Sequence, residues 1–280
     1  MIDLHLHTTA SDGRLSPAAL VDRASQAGLT TIAVTDHDTV QAVDEVTRLG
    51  APLGIRVVPG IEITAVDDGR DVHMLAYFVD HTDVTLSAFL VAQRGRRMAR
   101  VREIGARLAA QAVPVDVEAL LDEARATPGT SIGRPWLARA LVRAGHADSV
   151  ADAFDRYLGQ GRPAFVPRLG PSPFDVVALI HAAGGIVSFA HPGVTRRDHL
   201  LRPLAEAGLD AIEAHHSDHS PDVRDHYRAL ASALGVATSG GSDFHGFGDT
   251  RAALGLVVLP DREFKALEAR VPARPARPVP

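Results

Sequence analysis

In residues 2–7 apolar and polar positions strictly alternate. Successive side chains of a strand point to opposite faces, so Ile2, Leu4 and Leu6 share one face and Asp3, His5 and His7 share the other. Short apolar runs of this kind recur at 30–35, 56–59, 73–78, 185–190, 209–214 and 236–239, and most are followed by a helical stretch. The alternation predicts an α/β fold with a mainly parallel sheet or barrel. One helix is announced by Ser16 as N-cap and Pro17 at its first position. From about 84 to 160 the pattern changes to helix upon helix. Arg94, Arg96, Arg97, Arg100 and Arg102 run along that stretch as a solvated face would. The expected organisation is a barrel body of residues 1–93 and 165–272, a helical insertion or cap at 94–164, and a flexible Pro/Arg-rich tail at 273–280.

Ionisable residues stand where these strands end. The first strand carries His5 and His7, and its loop carries Asp12, which fits either an Asx-turn or a ligand. The second runs into Asp36-His37-Asp38; Asp38 suits a helix cap, whereas His37 has no such structural role. Glu62, between Ile61 and Ile63, would be costly to bury unless it were paired or bound a cation. His73 opens the next strand, His191 follows the fifth, and Asp243 and His245 follow the last, after glycines that permit a sharp turn beside a ligand. Parallel α/β folds place active sites at these carboxyl ends. His5, His7, Asp12, His37, Glu62, His73, His191, Asp243 and His245 are too many N/O donors for one tetrahedral ion. They suit two or three divalent metals sharing a bridging carboxylate. Ser131 and Arg134 flank a helix start, which is either an ordinary cap with a surface arginine or a phosphate receptor.

Composition narrows the class. With 280 residues, 46% of them hydrophobic and 22% charged, the chain reads as an ordinary globular protein. It has no cysteine, which removes disulfides, thiolate ligands and Cys nucleophiles and fits a reducing, cytoplasmic compartment. No signal-peptide pattern and no bilayer-length apolar run are present, so no membrane partner is expected. A net charge of −5 gives no global attraction to nucleic acid, so polyanion recognition must be local.

The motifs Asp3-Leu4-His5-Leu6-His7, Thr35-Asp36-His37-Asp38, Gly60-Ile61-Glu62, His191-Pro192-Gly193 and Gly241-Ser242-Asp243-Phe244-His245 resemble those of the PHP (polymerase and histidinol phosphatase) metallophosphoesterases. Gly133-Arg134-Pro135 and Glu213-Ala214-His215-His216-Ser217 narrow the resemblance to the subgroup of nucleoside 3′,5′-bisphosphate phosphatases and 5′→3′ exoribonucleases. The resemblance implies a distorted seven-stranded, TIM-like β/α barrel with a trinuclear site at its carboxyl face. One metal would take His5, His7, Glu62 and Asp243; a second Glu62, His73 and His191; a third Asp12, His37 and His245. Ser131, Arg134 and His216 would grip the phosphate, and Asp36 and Asp38 would orient ligand imidazoles. The catalytic group would be Asp243, Arg134 and His216, with His216 or a metal-bound water protonating the leaving oxygen. Trp136 stands where the family often has histidine, and is a candidate to stack on a base.

The donor set fits Mn²⁺, Fe²⁺ or Zn²⁺, and the resemblance favours three Mn²⁺. The implied activity is metal-activated hydroxide attack on phosphorus. It would remove the 3′-phosphate of nucleoside 3′,5′-bisphosphates or trim short RNA from its 5′ end. The partners are therefore a small phosphorylated nucleotide or a short RNA 5′ end, with no obligate protein partner. Histidinol-phosphate phosphatase shares the metal motifs, but the 94–164 insertion and Arg134 argue against it. A non-catalytic metal-binding module would be expected to have lost ligands, and all nine are present.

Overall fold

Seven strands lie side by side in chain order: β1 (Ile2–Leu6), β2 (Thr31–Val34), β3 (Arg56–Asp67), β4 (Arg70–Tyr77), β5 (Ile186–Phe189), β6 (Ala211–His215) and β7 (Ala237–Gly240). They belong to a computed structural model that describes residues 1–127, 129–246 and 253–272; the tail at 273–280 lies outside these. The helices are α1 (Pro17–Gln26), α2 (Val43–Gly50), α3 (Val84–Ala110), α4 (Val117–Ala126), α5 (Arg134–Arg143), α6 (Val150–Ala153), α7 (Pro173–Ala182), α8 (Pro192–Thr195), α9 (Leu201–Glu206), α10 (Pro221–Leu234) and α11 (Asp261–Glu268). No helix among the described residues is long and apolar enough to cross a membrane.

The sheet is parallel except at β4, which runs against both β3 and β5. The cause is local. Asp68 and Gly69, both at positive φ (47° and 69°), form a two-residue hairpin loop between the paired Asp67 and Arg70, the backbone shape whose twist matches flanking strands. The sheet curls toward a barrel, and residues 241–244 span the gap between β7 and β1. Phe244 bridges Leu6, and the Ser242 N–H donates to Asp3 Oδ1 at 2.9 Å. Only glycine fits at Gly241, because a Cβ there would lie 2.3 Å from the His5 nitrogen.

The outer faces of the strands are covered in two patches. α1 and α2 pack Leu20, Val21 and Val46 on Leu6, Ile32 and Val34. α7, α9 and α10, with the first turns of α3, cover Ile61, Ile63, Met74, Phe189 and Ile212. Between β4 and β5 the chain builds a second, helical core from Val101, Ile104, Leu108, Leu121, Leu137 and Leu141. α3 joins the two: Leu86 and Leu90 pack on the barrel, Val101 and Leu108 in the helical part, and residue 94 falls within the helix.

Its arginines do not form the solvated face that their spacing suggests. Arg97 is buried, donating Nε–H to Asp38 Oδ2 at 2.6 Å and Nη2–H to Thr64 Oγ1 at 3.0 Å. Arg100 donates to the Val166 carbonyl, and Arg94 to that of Asp38. Arg96 and Arg102, the latter paired with Glu118, are the two of the five that face water.

Candidate metal centre

The strand ends bring six of the nine candidate ligands, all of them imidazoles, into direct contact with at least one of two others, the carboxylates of Glu62 and Asp243, and Asp12 joins them through three imidazoles. Glu62 sits at the middle, 1% exposed. Its Oε2 lies 3.4 Å from His5 Nε2, 3.3 Å from His7 Nε2 and 3.0 Å from His37 Nδ1; its Oε1 lies 2.8 Å from His73 Nδ1 and 3.2 Å from His191 Nε2. Asp243 Oδ1 is 3.2 Å from His5 Nε2 and 3.1 Å from His7 Nε2. Asp12 reaches His245 Nε2 at 3.2 Å, with His7 and His37 each at 3.8 Å. Among the described residues, donor atoms close enough to share one ion form four groups, His5–His7–Glu62–Asp243, His7–Asp12–His37–His245, His37–Glu62–His73 and His5–Glu213–His216.

These side chains are aimed at one another by the backbone. In the β3–β4 pair, Thr64 faces His73 and Glu62 faces Leu75, so Glu62 and His73 are diagonal neighbours on one face. His191 (φ 27°) and Asp243 (φ 55°) both hold positive φ, a conformation that costs on the order of 1 kcal/mol for a non-glycine residue and concentrates at functional sites.

The arrangement fits divalent cations on a specific observation. His5 Nε2, both ring nitrogens of His7, His37 Nδ1, Glu62 Oε2 and His216 Nε2 are buried and make no hydrogen bond. Each such group costs about 1–3 kcal/mol in a protein interior. Six in one spot are expensive, and cations would satisfy the lone pairs among them, those of His5, His7, His37 and Glu62, while His216 contributes an N–H. The ring tautomers agree. His5 Nδ1–H donates to Glu213 Oε1 at 2.9 Å and His245 Nδ1–H to the Asp243 carbonyl at 2.9 Å, which leaves both Nε2 lone pairs facing the centre.

Electrostatics follow from this crowding. Burial pushes the Glu62 carboxyl up, but His37, His73 and His5 outweigh it and hold it well below the carboxylate range. Burial is likewise overcome at Asp12, chiefly by His245 and His37, and at Asp243, chiefly by His5 and His245. The imidazoles diverge: burial drives His37 down to about 3, whereas the adjacent carboxylates of Asp243 and Glu62 overcome burial at His7 and lift it to about 10.

The other site candidates separate. His216 is buried with Nε2 3.5 Å from Asp243 Oδ2; its Nδ1 accepts the Asp218 N–H at 3.1 Å, so Nε2 carries the proton in the neutral ring and points it at the centre. Arg134 lies to one side, its Nη2 3.1 Å from Asp71 Oδ2. It lines a cavity of about 790 Å³ with Arg70, Phe165 and Arg196, and His73 and His191 form the boundary between this cavity and the centre. Ser131 is buried; its N–H donates to the Ala10 carbonyl and its hydroxyl makes no hydrogen bond. Trp136 donates its indole N–H to the Ser11 carbonyl at 2.8 Å.

Two second-layer expectations are corrected. Asp36 takes the Thr8 N–H and the Thr8 and Ser11 hydroxyls, and Asp38 takes Arg97 and the Thr64 N–H; neither hydrogen-bonds an imidazole or caps a helix. Glu213 does the orienting instead, binding the His5 ring and accepting the His191 N–H at 2.8 Å. In the sequence Glu213 stood out as a carboxylate between Ile212 and Ala214 and as the first residue of the motif Glu213-Ala214-His215-His216-Ser217, neither of which suggested this role.

Comparison with known proteins decides the family. The PHP domain model matches residues 3–125. The 5′-3′ exoribonuclease Rnm of Escherichia coli is 37% identical over 252 residues, covering 87% of this chain and 84% of that protein. The chain belongs to the PHP family. A 3′,5′-nucleoside bisphosphate phosphatase from Chromobacterium violaceum is 31% identical over 98% of this chain and 99% of its own length. A metal-dependent phosphoesterase structure from Bifidobacterium adolescentis superposes with a TM-score of 0.88 at 33% identity, covering 97% and 96% of the two chains. This PHP protein is a metal-dependent phosphoesterase, and the donor groups around Glu62 are the feature of its fold that such chemistry requires.

Proposed function

We propose that this PHP phosphoesterase hydrolyses nucleoside 3′,5′-bisphosphates and trims short RNA from the 5′ end. The observation that carries the reading is the adjacency of the ligand groups around Glu62 to the arginine-lined cavity of Arg134. His5, His7, Glu62 and Asp243 would hold one divalent ion, Glu62, His73 and His191 a second, and Asp12, His37 and His245 a third; Mn²⁺ is the expected metal. Bound ions neutralise a phosphate ester and lower the pKa of water enough to supply hydroxide near neutral pH.

The chain's own residues do the rest. Arg134 holds a phosphate oxygen with its planar guanidinium. His216 offers its Nε2–H to a phosphoryl or leaving oxygen, the direction fixed by Asp218 at its other nitrogen. Asp243 joins the ions to His216. In this reading the barrel, 1–93 and 165–272, carries the ions and the 94–164 cap selects the substrate. A cytoplasmic location follows from substrates of this class. The relatives named above do not favour histidinol phosphate, and the completeness of the ligand set argues against a non-catalytic module.

Product analysis with metal-depleted protein, before and after Mn²⁺ is restored, tests the reading, following inorganic phosphate from the monoesters and released mononucleotides from the oligoribonucleotides. Adenosine 3′,5′-bisphosphate and 5′-phosphorylated oligoribonucleotides should be cleaved only with metal, and histidinol phosphate poorly in either case. Equal or faster turnover of histidinol phosphate would overturn it.

A further inference from the structure

Helix α5 separates two cavities. Arg134, in its first turn, faces the cavity beside His73 and His191. Trp136, Arg139 and Arg143 are spaced i, i+3 and i+7 and so share one side of the helix, while 134, two residues from 136, lies roughly 200° around it. These three line a separate cavity of about 410 Å³, together with Arg14, Glu45 and Glu123.

That cavity backs onto the loop that carries Asp12. The Ser131 N–H, Trp136 Nε1–H and Arg139 Nη1–H donate to the consecutive carbonyls of Ala10, Ser11 and Asp12 at 2.8, 2.8 and 3.1 Å. Asp12 is grouped with His245, and His73 with Glu62 and His191. The two cavities therefore adjoin the metal centre through different elements, one through His73 and His191 and the other through the loop that carries Asp12.

The chemistry of the second cavity selects its occupant. The Arg139 guanidinium lies over the Trp136 ring, 5.7 Å from the centroid, while Arg14 and Arg143 are exposed. An indole face and guanidinium groups bind stacked bases and the phosphates between them without regard to sequence. Glu45 and Glu123 leave the cavity with a net charge of only one positive, too little to hold a bare anion well but compatible with a strand that brings flat bases as well as phosphates.

We propose that this cavity is a second subsite for single-stranded RNA, holding nucleotides that lie beyond the phosphate being cut, with a base on Trp136 and phosphates at Arg14 and Arg143. The inference rests on the RNA reading above. Steady-state kinetics of the Mn²⁺-loaded enzyme tests it, on adenosine 3′,5′-bisphosphate and on 5′-phosphorylated oligoribonucleotides of two and of six residues. The Arg14→Glu/Arg143→Glu double variant should raise KM for the hexamer roughly tenfold and shallow its salt dependence by about two charges, with KM for the bisphosphate changed less than about twofold. Equal effects on all three substrates, or an unchanged hexamer KM, would overturn the subsite while leaving the activity itself standing. Failure of the unaltered enzyme to cleave any oligonucleotide would overturn the RNA reading and the subsite with it.

Discussion

At the barrel mouth six buried polar atoms go without a hydrogen bond, and two ligand residues hold positive φ. The helices inserted between β4 and β5 are built on a different principle. There Val101, Ile104, Leu121, Leu137 and Leu141 form an apolar core, and the charges at the seam with the barrel are paired: Arg97 with Asp38, and Arg134, Arg168 and Arg100 around Asp71. The mouth stores unsatisfied polarity that ions would relieve, while the cap and its seam contribute stability. A protein can hold an unfavourable, preorganised cluster only where neighbouring regions over-determine its geometry.

Substituting the shared carboxylate tests the first half of this contrast most severely. Glu62→Gln keeps the shape but removes the charge that faces five imidazoles. Loss of several kcal/mol of charge stabilisation corresponds to a drop in kcat/KM on the order of a thousandfold. Circular dichroism should show the fold intact. A variant with near-normal turnover and full metal content would break the comparison.

A smaller effect is expected at Glu213. Glu213→Gln places an amide N–H₂ or a weaker acceptor against the His5 Nδ1–H and loosens His191. Titration calorimetry of the metal-free protein with Mn²⁺ should show affinity weakened about 10–100-fold. Unchanged affinity would reduce Glu213 to a packing role.

The seam gives the smallest effect, seen as a pH dependence. Burial raises the Asp71 carboxyl, but Arg168, Arg134 and Arg100 outweigh it and bring it from 3.8 down to about 2. A carboxyl depressed in the folded state stabilises above its unfolded pKa and loses that contribution as pH falls through the folded value. The acid limb of stability between about pH 4 and pH 2 should therefore be shallower in Asp71→Asn, measured by denaturant titration at each pH. An unchanged limb would mean the three arginines do not couple to Asp71.

The sequence was legible wherever a residue's role was set by its place on its own strand. His5, Glu62 and His73 stand at strand positions, and His7 just past the end of β1, where polarity is buried or half-buried for no packing reason. The hairpin that reverses β4 was written in Asp68-Gly69, a turn signal that the expectation of a mainly parallel sheet did not take up. Other roles depend on partners far along the chain. Arg97 meets Asp38 across 59 residues and Glu213 meets His5 across 208, so helical spacing alone made the arginines look solvated and left Glu213 without a role. Trp136 belongs to the same class, since its indole N–H finds a carbonyl 125 residues away.

Three successive carbonyls, those of Ala10, Ser11 and Asp12, are gripped by donors from Ser131, Trp136 and Arg139. Cap exchange between relatives, an obvious engineering route to new substrates, would therefore disturb the ion cage as well as the recognition surface. A chimera that imports a foreign 94–164 segment should import residues 9–13 from the same donor, so that loop and clasp arrive as a matched pair.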